Sequence, residues 1–198
     1  MSGHAEGVPN VAITPQVHYI SFSADINPTT TETLLGVCGD LANKGVSTIY
    51  FLISTPGGNV MNGMNIYNAL RALPVRIVMH NVGNVDSIGN IVFLAGQERY
   101  SCPNATFMFH GVGFDQTDPI RLEEKLLQEH LDSISADHVR MARILSERTK
   151  LSADDANKLF QQAQTRDPNF ALDKGIVHGI KDAAVPKGAP FLQLVFKR

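Results

Sequence analysis

Residues 83–96 read GNVDSIGNIVFLAG: a serine between an aspartate and an isoleucine, then a glycine, then an apolar run. A small hydroxyl at the mouth of a segment that otherwise reads as buried has two uses. As a helix N-cap, Ser87 would accept a bond from an orphan N–H of the first turn. As a nucleophile, it would point into a cleft and attack a carbonyl. Gly89 would then let a substrate or neighbouring backbone come close, and the backbone N–H after the serine would lie near the developing oxyanion. Asp-Ser-Ile-Gly is not G-x-S-x-G, and alone it does not choose between the two.

A serine hydroxyl is barely ionised near neutral pH, so a nucleophile needs a base. Among seven histidines, His4 lies in a loose N-terminal stretch, and His18, His130, His138 and His178 fall on predicted surface or helical positions. His80 and His110 end predicted strands. His110 follows the lead-in Thr106–Phe109, which would hold the imidazole rigidly and desolvate it partly. A carboxylate that fixes the imidazole tautomer would complete the set; Asp86, Asp115 and Asp167 are candidates, and spacing does not choose among them. Gly57-Gly58, after a strand, is either a tight turn or a pair of backbone N–H groups aimed at an anion. No HExxH or paired Cys/His spacing points to a metal, and no GxGxxG or GxxxxGK[ST] points to a nucleotide, so no cofactor is expected.

Such groups gather at strand-to-helix turns, at the carboxyl ends of parallel strands. After a loose segment over 1–16, Val17–Phe22 predicts a strand. Asn27-Pro28 pairs an N-cap with proline at the first helical position, and Leu34, Val37, Cys38 and Leu41 then share one face as far as Gly45. Val46–Ile53 is a nearly continuous β-branched and aromatic run, as in a strand buried on both faces. STPGGN predicts a sharp turn, 60–73 a helix stopped by Pro74, Val75–His80 a strand, NVGNVDS a turn, and Ser87–Ala95 a buried helix. Arg99–Cys102 and Thr106–His110 read as short strands around Pro103-Asn104. From Pro119 to Thr149, Leu122, Leu126, Ile134, Met141 and Leu145 mark the stripe of one long helix, which either projects from the body or breaks near Ser133–Ser135. Ser152 and Asp155 make a capping box. A short helix around Ala171–Lys174 and a strand near Ile176–Val177 follow. Strand–helix alternation in the first half predicts an α/β fold with parallel strands.

The chain has 198 residues, 43% hydrophobic and 18% charged, with a formal net charge of −2. That predicts one domain over 17–198 and offers no case for nucleic acid or an anionic membrane as partner. Cys38 and Cys102 make no disulfide framework, and the N-terminus lacks a basic region followed by an apolar one. No stretch reaches the length of a membrane span. A reduced, cytoplasmic setting is expected.

Three blocks, in order, resemble the Clp protease proteolytic subunit (ClpP) family of the ClpP/crotonase superfamily, over about Tyr19 to Asp182. YFLISTPGGNVMNGMNIYNALRAL is similar to the family's strand–SPGG–helix segment. GNVDSIGNIVFLAGQERYSCPNATFMFH is similar to its GQAASMGA-helix block, Pro-Asn turn and strand ending in His. TRDPNF with ALDKGIVHGI is similar to its Arg-Asp-x-Phe and Ala-x-x-x-Gly segments. The resemblance implies a repeated β-β-α superhelix with a protruding handle helix, here about 119–149. It implies a serine endopeptidase acting on peptides or unfolded proteins inside a homo-oligomeric chamber, a heptameric ring or a pair of rings. Carried over by position, Ser87 is the nucleophile, His110 the general base and Asp167 the orienting acid, with the N–H groups of Gly58 and Ile88 as the oxyanion hole.

The pattern departs from the family in four places. Asp86 stands where a small residue is usual; facing the site it would oppose negative charge, and turned away it would bond backbone N–H groups. The Arg-Asp-Pro-Asn-Phe spacing is one residue longer, and GVGFDQTDPI is shorter than the family's Gly-rich segment. Few residues precede Val17, where elements that dock a Clp-type ATPase are expected, which implies a peptidase working without a standard one. Two other readings stand beside this one: a catalytically silent scaffold subunit, and a crotonase-like acyl-CoA enzyme.

Overall fold

The computed structural model describes residues 16–113, 121 and 123–196. Its first strand, β1 (Val17–Ser23), leads into helix α1 (Pro28–Asn43). Asn27 caps α1 as its residue type predicts, with its side chain accepting from Thr30 N and Pro28 at the first position. Next come β2 (Thr48–Thr55), α2 (Val60–Ala72), β3 (Arg76–Asp86) and the short α3 (Gly89–Phe93). Two short strands, β4 (Glu98–Ser101) and β5 (Thr106–Met108), precede α4 (Glu124–Arg148). The chain continues with α5 (Ala153–Gln162), β6 (Thr165–Arg166), α6 (Pro168–Asp173), β7 (Gly179–Ile180) and β8 (Phe191–Leu194).

The strands form one sheet in the order β6-β5-β3-β2-β1-β8, with β4 bonded to β3 and β7. Every pairing is parallel except β5 with β6. Parallel neighbours require crossovers, which the helices supply. Ile20, Phe22, Ile49, Phe51, Ile53 and Ile77 on one face of the sheet are buried in the main core.

β2 differs from the expectation of burial on both faces: it alternates buried and half-buried positions. The half-buried face carries a ladder of rings instead of a helix. Tyr19, Tyr50, His80 and Tyr100 meet at centroid distances of 5.0–6.0 Å across four neighbouring strands.

β3 runs six residues past His80, through NVGNVD, which reads as a turn in sequence. Ile53 pairs with Asn81 but Thr55 with Val85, so β3 bulges over 82–84. Asparagine side chains replace the lost ladder bonds: Asn81 Nδ2 donates to Thr106 O, Asn81 Oδ1 accepts from Gly83 N, and Asn84 Nδ2 donates to Thr55 O. At the bulge β3 exchanges β4 for β5 as its partner. That exchange brings the end of β5 beside the end of β3.

α4 is one unbroken helix of 25 residues, with no break near Ser133–Ser135. Its predicted start at Pro119 and Leu122 lies outside the described residues, as do residues 1–15 of the loose N-terminal segment. The buried residues of α4 are Met141, Ala142, Ile144 and Leu145, all in its last turns, while Leu127, Leu131 and Val139 are exposed. Most of its first turns are exposed on this chain, while His130, Ser133, Ile134 and Asp137 line a cavity shared with Gly58. The predicted strand at Ile176–Val177 is absent, and β7 starts two residues later; β8 has no counterpart in the sequence reading.

Candidate active site

Ser87 follows the last residue of β3 and has φ +55, a left-handed conformation that costs a non-glycine residue about 1–3 kcal/mol. It does not cap the helix beyond it: α3 begins after Ile88 and has no side-chain cap. The backbone at Ser87 is held by its N–H, which donates to Met108 O at 2.8 Å, and by its carbonyl, which accepts from Asn90 Nδ2 at 3.1 Å.

The Gly57-Gly58 turn lies against this elbow. Gly57 has φ +88, and a β-carbon there would stand 2.7 Å from both Asp86 O and Ser87 Cβ, so only glycine fits. Gly58 has φ +142 and is bracketed by Ile26, whose N–H donates to Gly57 O at 2.7 Å and whose carbonyl accepts from Asn59 N at 2.8 Å. Among the described residues, neither Gly58 N–H nor Ile88 N–H has an acceptor. A cavity of about 570 Å³ opens beside Gly58, walled by Asn59, Val60, Val112, Ile134 and Asp137. A larger one, about 890 Å³, lies between β8 and Pro28 and reaches neither glycine.

His110 stands two residues past β5 and is half-buried. Because Asp86 pairs with Met108, Ser87 and His110 leave adjacent parallel strands in the same direction, one and two residues beyond the last rung. The hydroxyl and the ring are not hydrogen-bonded to each other. Catalytic hydrogen bonds are often loose before substrate binds. Val112 N, two residues further on, donates to His138 Nε2 on α4 at 2.8 Å.

The Asp86 carboxylate is turned to Asn84, whose Nδ2 donates to it, and Asn84 is held in turn by Ser54 Oγ at 2.8 Å. It bonds a side-chain amide rather than backbone N–H groups. Asp115 lies outside the described residues, as does most of GVGFDQTDPI.

His80 belongs to the sheet, not to the site. Its Nε2 faces Lys181 O at 3.0 Å, and since a carbonyl only accepts, Nε2 carries the proton and Nδ1 accepts from Tyr50 OH at 2.8 Å. Burial holds its pKa below the ordinary value. Among the described residues no group of His, Cys, Asp and Glu could hold a metal ion.

The sequence model of the Clp protease family matches residues 16–184. The chain belongs to the Clp protease family. It is 32% identical over 143 residues to ATP-dependent Clp protease proteolytic subunit 1 of Leifsonia xyli subsp. xyli, covering 69% of this chain and 68% of that one. Against ATP-dependent Clp protease proteolytic subunit 2 of Pseudomonas aeruginosa it is 28% identical over 148 residues, 71% and 69% of the two chains. The structure of a point mutant of ClpP1 from Listeria monocytogenes superposes with a TM-score of 0.75 at 22% identity, over 84% of this chain and 92% of that one. The fold is therefore the ClpP fold, and α4 is consistent with its handle.

Asp167 stands at the start of α6. Its Oδ1 accepts from Phe170 N at 2.8 Å, capping α6, with Pro168 at the first helical position. β5 and β6 run antiparallel with Phe107 opposite Arg166 and Met108 opposite Thr165. Asp167 follows Arg166 and so lies toward the Thr106 end of β5. The Asp167 carboxylate is thus used as a helix cap, and among the described residues no hydrogen bond joins it to the His110 ring. The sequence reading also passed over Asn90, a polar residue inside the run GNIVFLAG, which is 2% exposed.

Proposed function

We propose that this chain is a serine endopeptidase with Ser87 as nucleophile and His110 as general base. His110 takes the hydroxyl proton as Ser87 Oγ bonds to the scissile carbonyl carbon, then gives it to the leaving amine as the C–N bond breaks. Water, deprotonated by His110, releases the acyl group and restores the serine. The N–H groups of Gly58 and Ile88 hold the oxyanion, each donor lowering the barrier by about 3 kcal/mol. One observation carries this reading: a serine held in a strained left-handed turn, its hydroxyl unused as a cap, beside two N–H groups that lack acceptors among the described residues.

The substrate is a peptide or an unfolded protein laid in the cavity beside Gly58. The exposed apolar residues of α4 favour a homo-oligomer, a heptameric ring or a pair of rings, because an amphipathic helix that cannot bury its stripe on its own chain needs a partner. Among the described residues no helix is long and apolar enough to cross a membrane.

Hydrolysis of a fluorogenic peptide by wild type, Ser87→Ala and His110→Ala tests the assignment. Activity in wild type and its loss in both variants is expected; equal activity in Ser87→Ala would end it. Degradation of a folded, tagged protein with and without a Clp ATPase and ATP tests whether such a partner serves this chain.

A further inference from the structure

We propose that Asn90 and His138 clamp the backbone on either side of His110 and so position the base. This rests on the peptidase reading above and deepens it. Met108 O, two residues before His110, accepts from Ser87 N at 2.8 Å and from Asn90 Nδ2 at 2.8 Å. The same Asn90 nitrogen donates to Ser87 O at 3.1 Å. Both partners are carbonyls and can only accept, so the amide orientation is fixed with nitrogen toward the site. Asn90 thus ties the nucleophile's turn to the base's strand. The Asn90 Oδ1 is buried without a partner among the described residues, a cost that a residue serving only to fill space would not carry.

Two residues after His110, Val112 N donates to His138 Nε2 at 2.8 Å. That bond needs a lone pair, so Nε2 is unprotonated and the neutral ring carries its proton on Nδ1. The ring plane is set by stacking on Phe160, at 5.5 Å and 16°. Gly111 makes the approach possible, since a β-carbon there would lie 3.1 Å from His138 Nε2. His110 sits midway between the two anchors, a side-chain donor on its i−2 carbonyl and a side-chain acceptor on its i+2 N–H. With Asp167 committed to α6, these bonds limit where the imidazole can stand. Asn90 and His138 are positioning residues: neither touches the reacting atoms.

The test compares full-length wild type, His138→Leu, His138→Gln, Asn90→Ala and Asn90→Asp in peptide hydrolysis. Serine labelling by a fluorophosphonate and thermal unfolding are followed in parallel. In His138→Gln the amide oxygen can still accept from Val112 N. His138→Leu is expected to lose kcat on the order of 10²-fold, as misplacement of a reacting group does, with KM within about two-fold. His138→Gln is expected to recover most of that loss. Asn90→Asp, which sets a carboxylate against two carbonyls, is expected to fall below Asn90→Ala. Unchanged kcat in folded His138→Leu, with wild type labelled, overturns the clamp and leaves the peptidase reading standing. An unlabelled, inactive wild type overturns both. If the leucine variant does not fold, the imidazole nitrogen spectrum of wild type decides: a proton on His138 Nδ1 alone supports the clamp, and a proton on Nε2 overturns it.

Discussion

The Ser87 N–H donates to the Met108 carbonyl at 2.8 Å, one residue past the last rung between β3 and β5. Through that bond the proposed nucleophile and the strand that leads to His110 become one rigid unit. The bulge over 82–84, where β3 leaves β4 for β5, makes it possible.

Asp167 behaves as a helix cap. Asp167→Ala is expected to destabilise the protein by about 1 kcal/mol. Asp167→Asn, which still presents an oxygen to Phe170 N, should cost less. Peptide hydrolysis by the folded variants should stay within a few-fold of wild type. A loss near 10⁴-fold, as for an acid that orients a catalytic imidazole, would restore Asp167 to that role.

The signal for this was already in the sequence. Asn27-Pro28 reads as a cap followed by a first-position proline, and Asp167-Pro168 is the same pair of types; α1 and α6 both start that way. What obscured the second was the similarity of TRDPNF to a motif with one residue fewer. Other elements were less legible for physical reasons. NVGNVD looks like a turn because Gly and Asn favour turns, yet its asparagines bond the neighbouring backbone and let the strand continue. The face of β2 carrying Tyr50 and Leu52 reads as buried from residue type, although it is only half-buried, with rings from neighbouring strands against Tyr50. The helices with clear stripes and caps, α1, α2 and α5, lie where periodicity and capping place them. Ser87, His110 and the Gly57-Gly58 turn were legible as candidates; their proximity depends on β5 joining β3, which no local pattern encodes.

Gly57 admits no side chain. Gly57→Ala would set a methyl 2.7 Å from Asp86 O and Ser87 Cβ at a φ of +88. The backbone conformation alone costs about 1–2 kcal/mol. Displacing the turn that carries Gly58 should lower kcat on the order of 10²-fold, as losing an oxyanion donor does. Steady-state kinetics beside a melting curve checks both.

His80 should make the protein acid-sensitive. Burial lowers its pKa in the folded state, so as pH falls below the ordinary histidine value of about 6.5 the unfolded chain takes up the proton first. Its contribution is complete above that pH and is lost below it. Melting temperatures at pH 7.5 and 5.5 should show a larger drop for wild type than for His80→Gln. Equal drops would place the acid sensitivity elsewhere.

The exposed apolar face of the first turns of α4 should be an association surface. Leu127 and Leu131 are exposed on this chain. Sedimentation or mass photometry of wild type should give an oligomer, and Leu127→Glu with Leu131→Glu should shift it to smaller species. A monomeric wild type at micromolar concentration would mean that α4 serves no such contact.

The most direct test of the central claim is to treat wild type with a fluorophosphonate and map the adduct by tandem mass spectrometry. A single adduct on Ser87, absent in His110→Ala and after denaturation, is the predicted result. An adduct on another residue, or none on a folded and assembled protein, would contradict the account.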